Sequence, residues 1–159
     1  NKLEWLNLYQ TRVSDTGLAH LKKLPALRHL PIGETKVTET GLVHIAEMNR
    51  LVYLGLRGND IGDTGLSHLK KMKHLTGLHL GQTRITHKGL HHLECLNQLE
   101  RLWLQDTLIN DHAISTFVKL KNLEELYVYR TRLTSMGARQ LKKALPNCRI
   151  FYRSATVPD

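Results

Sequence analysis

The sequence is poor in cysteine and in aromatic residues, and it has no long hydrophobic run. Two cysteines among 159 residues are too few for a disulfide framework. No apolar run reaches the roughly 18 residues that a transmembrane helix needs, so we expect no membrane insertion. The chain begins at Asn1 with neither a methionine nor a signal-peptide pattern, so it is either processed or a piece of a longer protein. Nothing polar covers the apolar residues Leu3, Leu6 and Leu8 near this end, and we therefore expect the natural protein to continue upstream of Asn1.

The composition is that of a folded domain. Hydrophobic residues make up 41% of the chain and charged residues 23%, which is enough apolar surface for a core. The length predicts one domain, residues 1–159. The formal net charge of +9 raises the question of an anionic partner, which the positions of the charges must answer.

A 24-residue repeat fills about nine tenths of the chain. Leucine is invariant at the first and fourth positions, Thr or Asn occupies the ninth, and Gly or Ala occupies the fifteenth. The six units begin at Leu3, Leu27, Leu51, Leu75, Leu99 and Leu123. Residues 148–159 are predicted as a closing strand and tail, because Cys148 to Tyr152 alternate apolar with polar residues.

The apolar spacing changes within each unit. Leu-x-x-Leu-x-Leu ends in a period of two, typical of a short strand, and Gly-Leu-x-x-Leu-x-x-Leu has the spacing of one helix face. Between them, Thr or Asn can satisfy backbone groups in a turn, and position twelve carries helix N-cap residue types. One strand and one short helix cannot bury their own apolar rows, whereas stacked units can.

These residues resemble the leucine-rich repeats, whose signature is Leu-x-x-Leu-x-Leu-x-x-Thr/Asn-x-Val/Ile. The Thr-x-Val-Thr-Asp-x-Gly-Leu-x-x-Leu version is similar to bacterial repeats, and Gly137 to Leu141 are similar to GALA repeats. The resemblance implies an α/β fold: a right-handed leucine-rich-repeat solenoid with a curved parallel sheet on its concave face and short helices on its convex face.

Positions three, five and seven of each strand are predicted to face outward on the concave sheet. These eighteen positions hold six of the nine aromatic residues, an enrichment typical of protein-binding surfaces. Glycine and Pro31 leave the middle units bare, which predicts a trough between two aromatic shoulders. The candidate partner-binding residues are Trp5, Tyr9, His29, Tyr53, Arg57, His79, Arg101, Trp103, Gln105, Tyr127 and Tyr129.

The leading hypothesis is a non-catalytic module that binds a protein or peptide on this face. Carbohydrate binding by the same aromatic residues, or a structural spacer packed against another domain, remain alternatives. We expect a monomer. No nucleophile elbow, His-Glu-x-x-His motif, phosphate-binding loop or dinucleotide fingerprint is present, so we predict no enzyme activity and no cofactor.

The positive charges lie outside the predicted trough. Most lysines fall in or after the helices, and a second basic row follows the strands. Neither row combines with the aromatic residues as in single-strand nucleic-acid binders, so a nucleic-acid partner is not predicted.

Histidines form the other conspicuous pattern. Four of them recur at position eighteen, too far apart on neighbouring helices to share one ion. His87, His91 and Cys95 have the spacing of a single helix face, but no fourth ligand is evident. We predict no metal site, and the sequence alone leaves metal binding by these three residues open.

Overall fold

The computed structural model describes residues 2–152 of the chain. Six three-residue strands form one parallel sheet, and their spatial order follows their order in the sequence. The strands are β1 His29–Pro31, β2 Tyr53–Gly55, β3 Gly77–His79, β4 Arg101–Trp103, β5 Glu125–Tyr127 and β6 Arg149–Phe151. Residues 153–159 of the predicted closing segment lie outside the described residues.

The strands pair at a constant step of 24 residues. Leu30 lies beside Leu54, and the step continues across the sheet to Leu126 beside Ile150. The first unit joins the sheet through a single parallel bridge between Trp5 and His29. Because the register is constant, each position of the repeat forms one row across the sheet, with about 4.8 Å between neighbours.

Short helical segments connect the strands. The α-helices are α1 Asp15–Leu21, α2 Leu42–Ile45, α3 Asp63–Leu66, α4 Ile114–Phe117 and α5 Ser135–Ala144. The 3₁₀ helices are Glu39–Gly41, Ser67–Lys71, Leu90–Leu93 and Asp111–Ala113. Within residues 2–152, no helix has both the length and the apolar character needed to span a membrane.

The apolar rows of strands and helices form one continuous core. Leu30, Leu54, Leu78 and Leu102 are completely buried, as are the helical leucines that face them, such as Leu66. Burial of one such side chain contributes about 1.5–3 kcal/mol relative to leaving it in water. The core is therefore built from contacts between units as much as within them.

The first unit is incompletely buried. Leu3 is 42% exposed and Trp5 is 57% exposed, while Leu6 and Leu8 are half-buried. The reason is that a neighbouring strand covers only one side of this unit. At the other end of the sheet, β6 covers β5.

Threonine and asparagine at position nine satisfy the turn in different ways. The hydroxyl of Thr83 donates to the carbonyl of Leu80 within its own turn, at 2.6 Å. Asn59 instead reaches the previous unit: its Nδ2 donates to the carbonyl of Ile32, and its Oδ1 accepts from the backbone N–H of Thr35, both at 2.9 Å. Each pattern pairs a carbonyl that burial would otherwise leave without water.

Each of the six repeat units has one residue with a positive φ in the turn, always at position eight. Glycine has it once, at Gly58 with φ 70°, while the other five φ values lie between 51° and 58° at Gln10, Glu34, Gln82, Asp106 and Arg130. This conformation costs a non-glycine residue about 1–3 kcal/mol, so neighbouring structure must impose it. Part of that constraint is a hydrogen bond between units: the backbone N–H of Glu34, for example, donates to the carbonyl of Arg57 in the next unit at 2.7 Å.

A carboxylate links the units in pairs. Asp63 accepts hydrogen bonds from the backbone N–H and the hydroxyl of Thr86 in the next unit, at 2.8 and 2.6 Å. The same contacts join Asp15 to Thr38 and Asp111 to Thr134. A Cβ at Gly89 would collide with the Asp63 carboxylate, which explains glycine at position fifteen of that unit. Units one and two, three and four, and five and six are therefore joined by a bond that the other junctions lack within the described residues.

Replacing Asp63 by alanine is expected to lower the free energy of unfolding by about 1–3 kcal/mol, because Thr86 loses two hydrogen bonds at a half-buried position. Asp60→Ala is the matched control, since Asp60 is exposed and pairs only with exposed Arg84, a contact worth at most about 1 kcal/mol. Urea unfolding of both variants at pH 7 measures the difference. Equal losses would show that the carboxylate does not hold the two units together.

Candidate functional site

The outward face of the sheet carries the side chains of positions three, five and seven, and we call it the open face. Trp5 and Arg101 are exposed on it, whereas Gln105 is only 6% exposed and lies beneath its neighbours. The other candidate residues are half-buried: Tyr9, His29, Tyr53, Arg57, His79, Trp103, Tyr127 and Tyr129.

Four rings at position five stack in a continuous series across strands β3 to β6, which we call the aromatic ladder. The ring of His79 lies 5.6 Å from that of Trp103, Trp103 lies 5.4 Å from Tyr127, and Tyr127 lies 4.2 Å from Phe151. The planes are within 15° of parallel. In-register strands bring equal positions to ring-stacking distance, so the ladder follows directly from the repeat.

Phe151 is the member of the ladder that sequence reasoning missed. Its outward position follows from the alternation in the closing strand, and it pairs with Tyr127 in the sheet register. The signal was present in the sequence, because Phe151 stands 24 residues after Tyr127. The guanidinium of Arg149 lies 5.4 Å from the Phe151 ring and also pairs with Glu125 at 3.1 Å.

The predicted trough is shorter than the glycine pattern suggested. Tyr53 does not stand apart on one shoulder, since its ring lies over Gly77 and meets Trp103 edge to face at 6.2 Å. A Cβ at Gly77 would come within 2.8 Å of the Tyr53 ring. The glycine at this point therefore admits an aromatic ring of the protein itself.

The remaining hollow is a small pocket beside the ladder, and we call it the glycine pocket. Its volume is about 270 Å³. Tyr9 and Tyr53 stand on opposite sides, and Pro31, Gly33 and Gly55 leave the floor almost free of side chains. The full lining is Asn7, Tyr9, Pro31, Gly33, Tyr53, Gly55, Arg57 and His79.

A polar network fixes one side of this pocket. The hydroxyl of Tyr9 and the amide of Gln10 donate to the two carboxylate oxygens of Glu34. These two bonds lower the pKa of Glu34, and the bond to the carboxylate raises the pKa of Tyr9. Arg57 donates through Nε to Gln82 at 3.0 Å and lies 3.9 Å from Glu34.

His79 belongs both to the aromatic ladder and to the lining of the glycine pocket, and its ring is neutral. Burial lowers its pKa to about 4, with a further lowering from the positive charge of Arg57. Nδ1 of the ring accepts from the backbone N–H of Gly81 at 3.3 Å. A neutral imidazole has one N–H, so Nε2 must be the donor to the side-chain amide of Gln105, 3.1 Å away.

This tautomer also fixes the orientation of the Gln105 amide. Its oxygen must face Nε2 of His79, which turns the amide about its last bond and gives a partner to a buried oxygen that otherwise has none. Gln105 therefore supports His79 from below. Its position explains why it is buried, although the repeat pattern predicts an outward residue.

The other candidate residues lie towards the two ends of the face. Trp5 stacks on His29 at 4.8 Å and remains open on its other side. The guanidinium of Arg130 lies 5.2 Å from the ring of Tyr129. The structure thus joins most candidate aromatic residues into two stacks, with the glycine pocket between them.

The histidine pattern does not form a ligand cluster in the described residues. The segment expected to align His87, His91 and Cys95 is a 3₁₀ helix of four residues, Leu90–Leu93, so the three side chains do not share one helix face. His91 Nδ1 instead contacts the carbonyl of Lys88, and the thiol of Cys95 contacts the carbonyl of Lys70. Residues 2–152 contain no group of three or more His, Cys, Asp or Glu that could hold a metal ion.

Solved structures of internalins from Listeria monocytogenes have a similar fold. An internalin C2 matches with a TM-score of 0.68 and 21% identity, over 96% of this chain and 72% of that protein. An internalin described as inlF matches with a TM-score of 0.56 and 19% identity, over 97% of this chain and 55% of that protein. Internalins are leucine-rich-repeat proteins. The chain has the leucine-rich-repeat fold.

The predicted fold class is thereby confirmed: an α/β leucine-rich-repeat solenoid with an open parallel sheet and short helices. The chain spans about half the length of the second internalin. No protein-family model and no curated protein matches the sequence. The similarity to GALA-type repeats of 24 residues stays a prediction.

The leucine-rich-repeat domain is expected to lose stability as the pH falls from about 6.5 towards 4, and His79 should account for part of this loss. Its pKa is about 4 in the folded chain against 6.5 for an ordinary histidine, so only the unfolded chain takes up the proton in that range. His79→Gln should therefore lose less stability than the wild type between pH 7 and pH 5 in urea unfolding. Equal losses, with an NMR midpoint for His79 near 6.5, would contradict the buried neutral ring.

Proposed function

We propose that this domain is a non-catalytic recognition module that binds a protein or peptide on its open face. The observation that carries the proposal is the aromatic ladder, which places Trp103 and Tyr127 on the surface of the sheet instead of in the core. Large aromatic residues are enriched at the energetic centres of protein interfaces. The likeness to internalins supports a protein-binding repeat module, in keeping with this proposal.

The orientation of the rings favours a protein partner over a carbohydrate. Sugars pack against the faces of aromatic rings, but both faces of Trp103 and of Tyr127 are occupied by neighbouring rings. The ladder presents the edges of its rings to a partner. Ring edges carry partial positive charge and can contact carbonyl oxygens and the faces of other rings. Trp5 alone has a large exposed side for a sugar, since one face stacks on His29 and 57% of the residue is exposed.

If the domain is a structural spacer, the open face has a different role. A spacer would cover the ladder permanently with another domain of the same protein. The glycine pocket is compatible with a separate partner, since it is a preformed hollow whose polar wall is held by hydrogen bonds within the domain itself.

The double variant Trp103→Ala/Tyr127→Ala is expected to lose partners that the wild type captures from a lysate of the source organism. Removal of one such residue from an interface centre typically costs about 2 kcal/mol or more, roughly thirtyfold in affinity. Met136→Ala is the matched control, because Met136 is 70% exposed but lies on α5, away from the open face. Circular dichroism must first show that both variants are folded.

Quantitative mass spectrometry of the captured proteins gives the answer. Loss of a set of proteins with the double variant, and not with Met136→Ala, would support recognition by the open face. Identical profiles for all three proteins would contradict the proposal.

A further inference from the structure

We propose that the glycine pocket holds an acidic side chain of the partner, so that the ligand is an extended peptide segment with an Asp or Glu beside the residues that meet the aromatic ladder. This inference rests on the proposed function and adds the chemistry of the ligand to it. The glycine pocket and the ladder share His79, so one extended segment can contact both.

The shape of the pocket suits a side chain presented by an extended backbone. Its floor is Pro31, Gly33 and Gly55, and a Cβ at Gly33 would come within 2.7 Å of the carbonyl oxygen of Arg57. No side chain can therefore replace the hydrogen of Gly33, and the floor stays flat at this point. A volume of about 270 Å³ lies just below the range of small-molecule pockets, about 300–1,000 Å³, and fits a side chain better than a folded element.

Arg57 is the only charged residue among those that line the pocket. Its Nε donates to Gln82, which orients the guanidinium, and within the described residues its two terminal nitrogens make no hydrogen bond. A guanidinium presented in this way can pair with a carboxylate through two parallel hydrogen bonds. Because His79 is neutral, it adds no second positive charge to the site.

The negative charge of Glu34 opposes the binding of an acidic ligand, and substitution of Glu34 therefore gives a second test of the proposal. It lies 3.9 Å from Arg57, too far for a hydrogen bond, and both of its oxygens already accept from Tyr9 and Gln10. Its carboxylate is thus held beside the pocket and does not line it. Removing its charge should strengthen the binding of an acidic ligand, whereas removing the charge of Arg57 should weaken it.

The net charge of the chain supports the same choice of ligand. A formal charge of +9 attracts an acidic segment over a distance, and this attraction weakens as salt is added. This long-range attraction depends on the net charge and not on which arginine carries it. The local attraction depends on Arg57 and on its neighbour Glu34, so variants of these two residues separate it from the long-range attraction.

A displayed library of random peptides is the probe that tests the proposal. Peptides enriched on the wild-type domain would be synthesised together with analogues in which each Glu or Asp is replaced by its amide. Affinities at two salt concentrations would be measured by fluorescence anisotropy. We expect the acidic peptide to bind the wild type about tenfold more tightly than its amide analogue, the effect of one charge-assisted contact.

Four variants separate the possible causes of a preference for the acidic peptide. Arg57→Gln should abolish the preference for the acid, Arg57→Lys should keep part of it, and Glu34→Gln should increase it. Arg84→Gln is the matched control, since it removes one positive charge at an exposed residue that pairs with Asp60 outside the pocket. This control should keep the preference while lowering all affinities slightly at low salt.

The outcomes separate this inference from the proposed function. Enriched peptides that lack acidic residues, or an acid preference that survives in Arg57→Gln, would overturn the pocket proposal. If binding of those peptides is still lost with Trp103→Ala/Tyr127→Ala, the open face remains the recognition surface. Absence of enrichment, or enriched peptides that ignore both sets of variants, would overturn both proposals.

Discussion

Burial of leucine between neighbouring units is the interaction on which the rest of this structure depends. A unit such as Leu75 to Gln98 has one three-residue strand and one short helix, too little to enclose its own apolar rows. Stacking in register encloses them, because Leu78 then lies between Leu54 and Leu102. A slip of one residue would turn every buried leucine of a strand to the open face, so the register is fixed by the core.

The same register organises the open face. Since equal positions lie about 4.8 Å apart, aromatic residues of one row are close enough to stack, and small residues at neighbouring outward positions leave a hollow. Trp103, Tyr127 and Phe151 illustrate the first case, and Gly33 and Gly55 the second. The ladder and the glycine pocket are therefore two consequences of one geometric rule applied to different side chains.

The charges on this face are held in place by neutral neighbours. Tyr9 and Gln10 hold the Glu34 carboxylate, and Gln82 orients Arg57. His79 stays neutral because it is buried and lies near Arg57. The result is a positive group, Arg57, at the glycine pocket and next to the aromatic ladder, which is the combination that a short peptide with one acidic residue would match.

The sequence by itself determined the repeat, the parallel sheet and which positions of each strand point to the open face, because apolar periodicity reports which side of a strand a residue faces. It also indicated the turn role of threonine and asparagine, which Thr83 and Asn59 fulfil in two different ways.

Only the tertiary structure decided how the outward side chains share the available space. Tyr53 leans over Gly77, and Gln105 lies beneath His79, because a side chain's direction along the sheet depends on its rotamer and its neighbours. The positive φ of Glu34 and the 3₁₀ form of Leu90–Leu93 were likewise absent from the pattern. Such features arise from the stacking of neighbouring units, a long-range constraint that no local spacing of residues encodes.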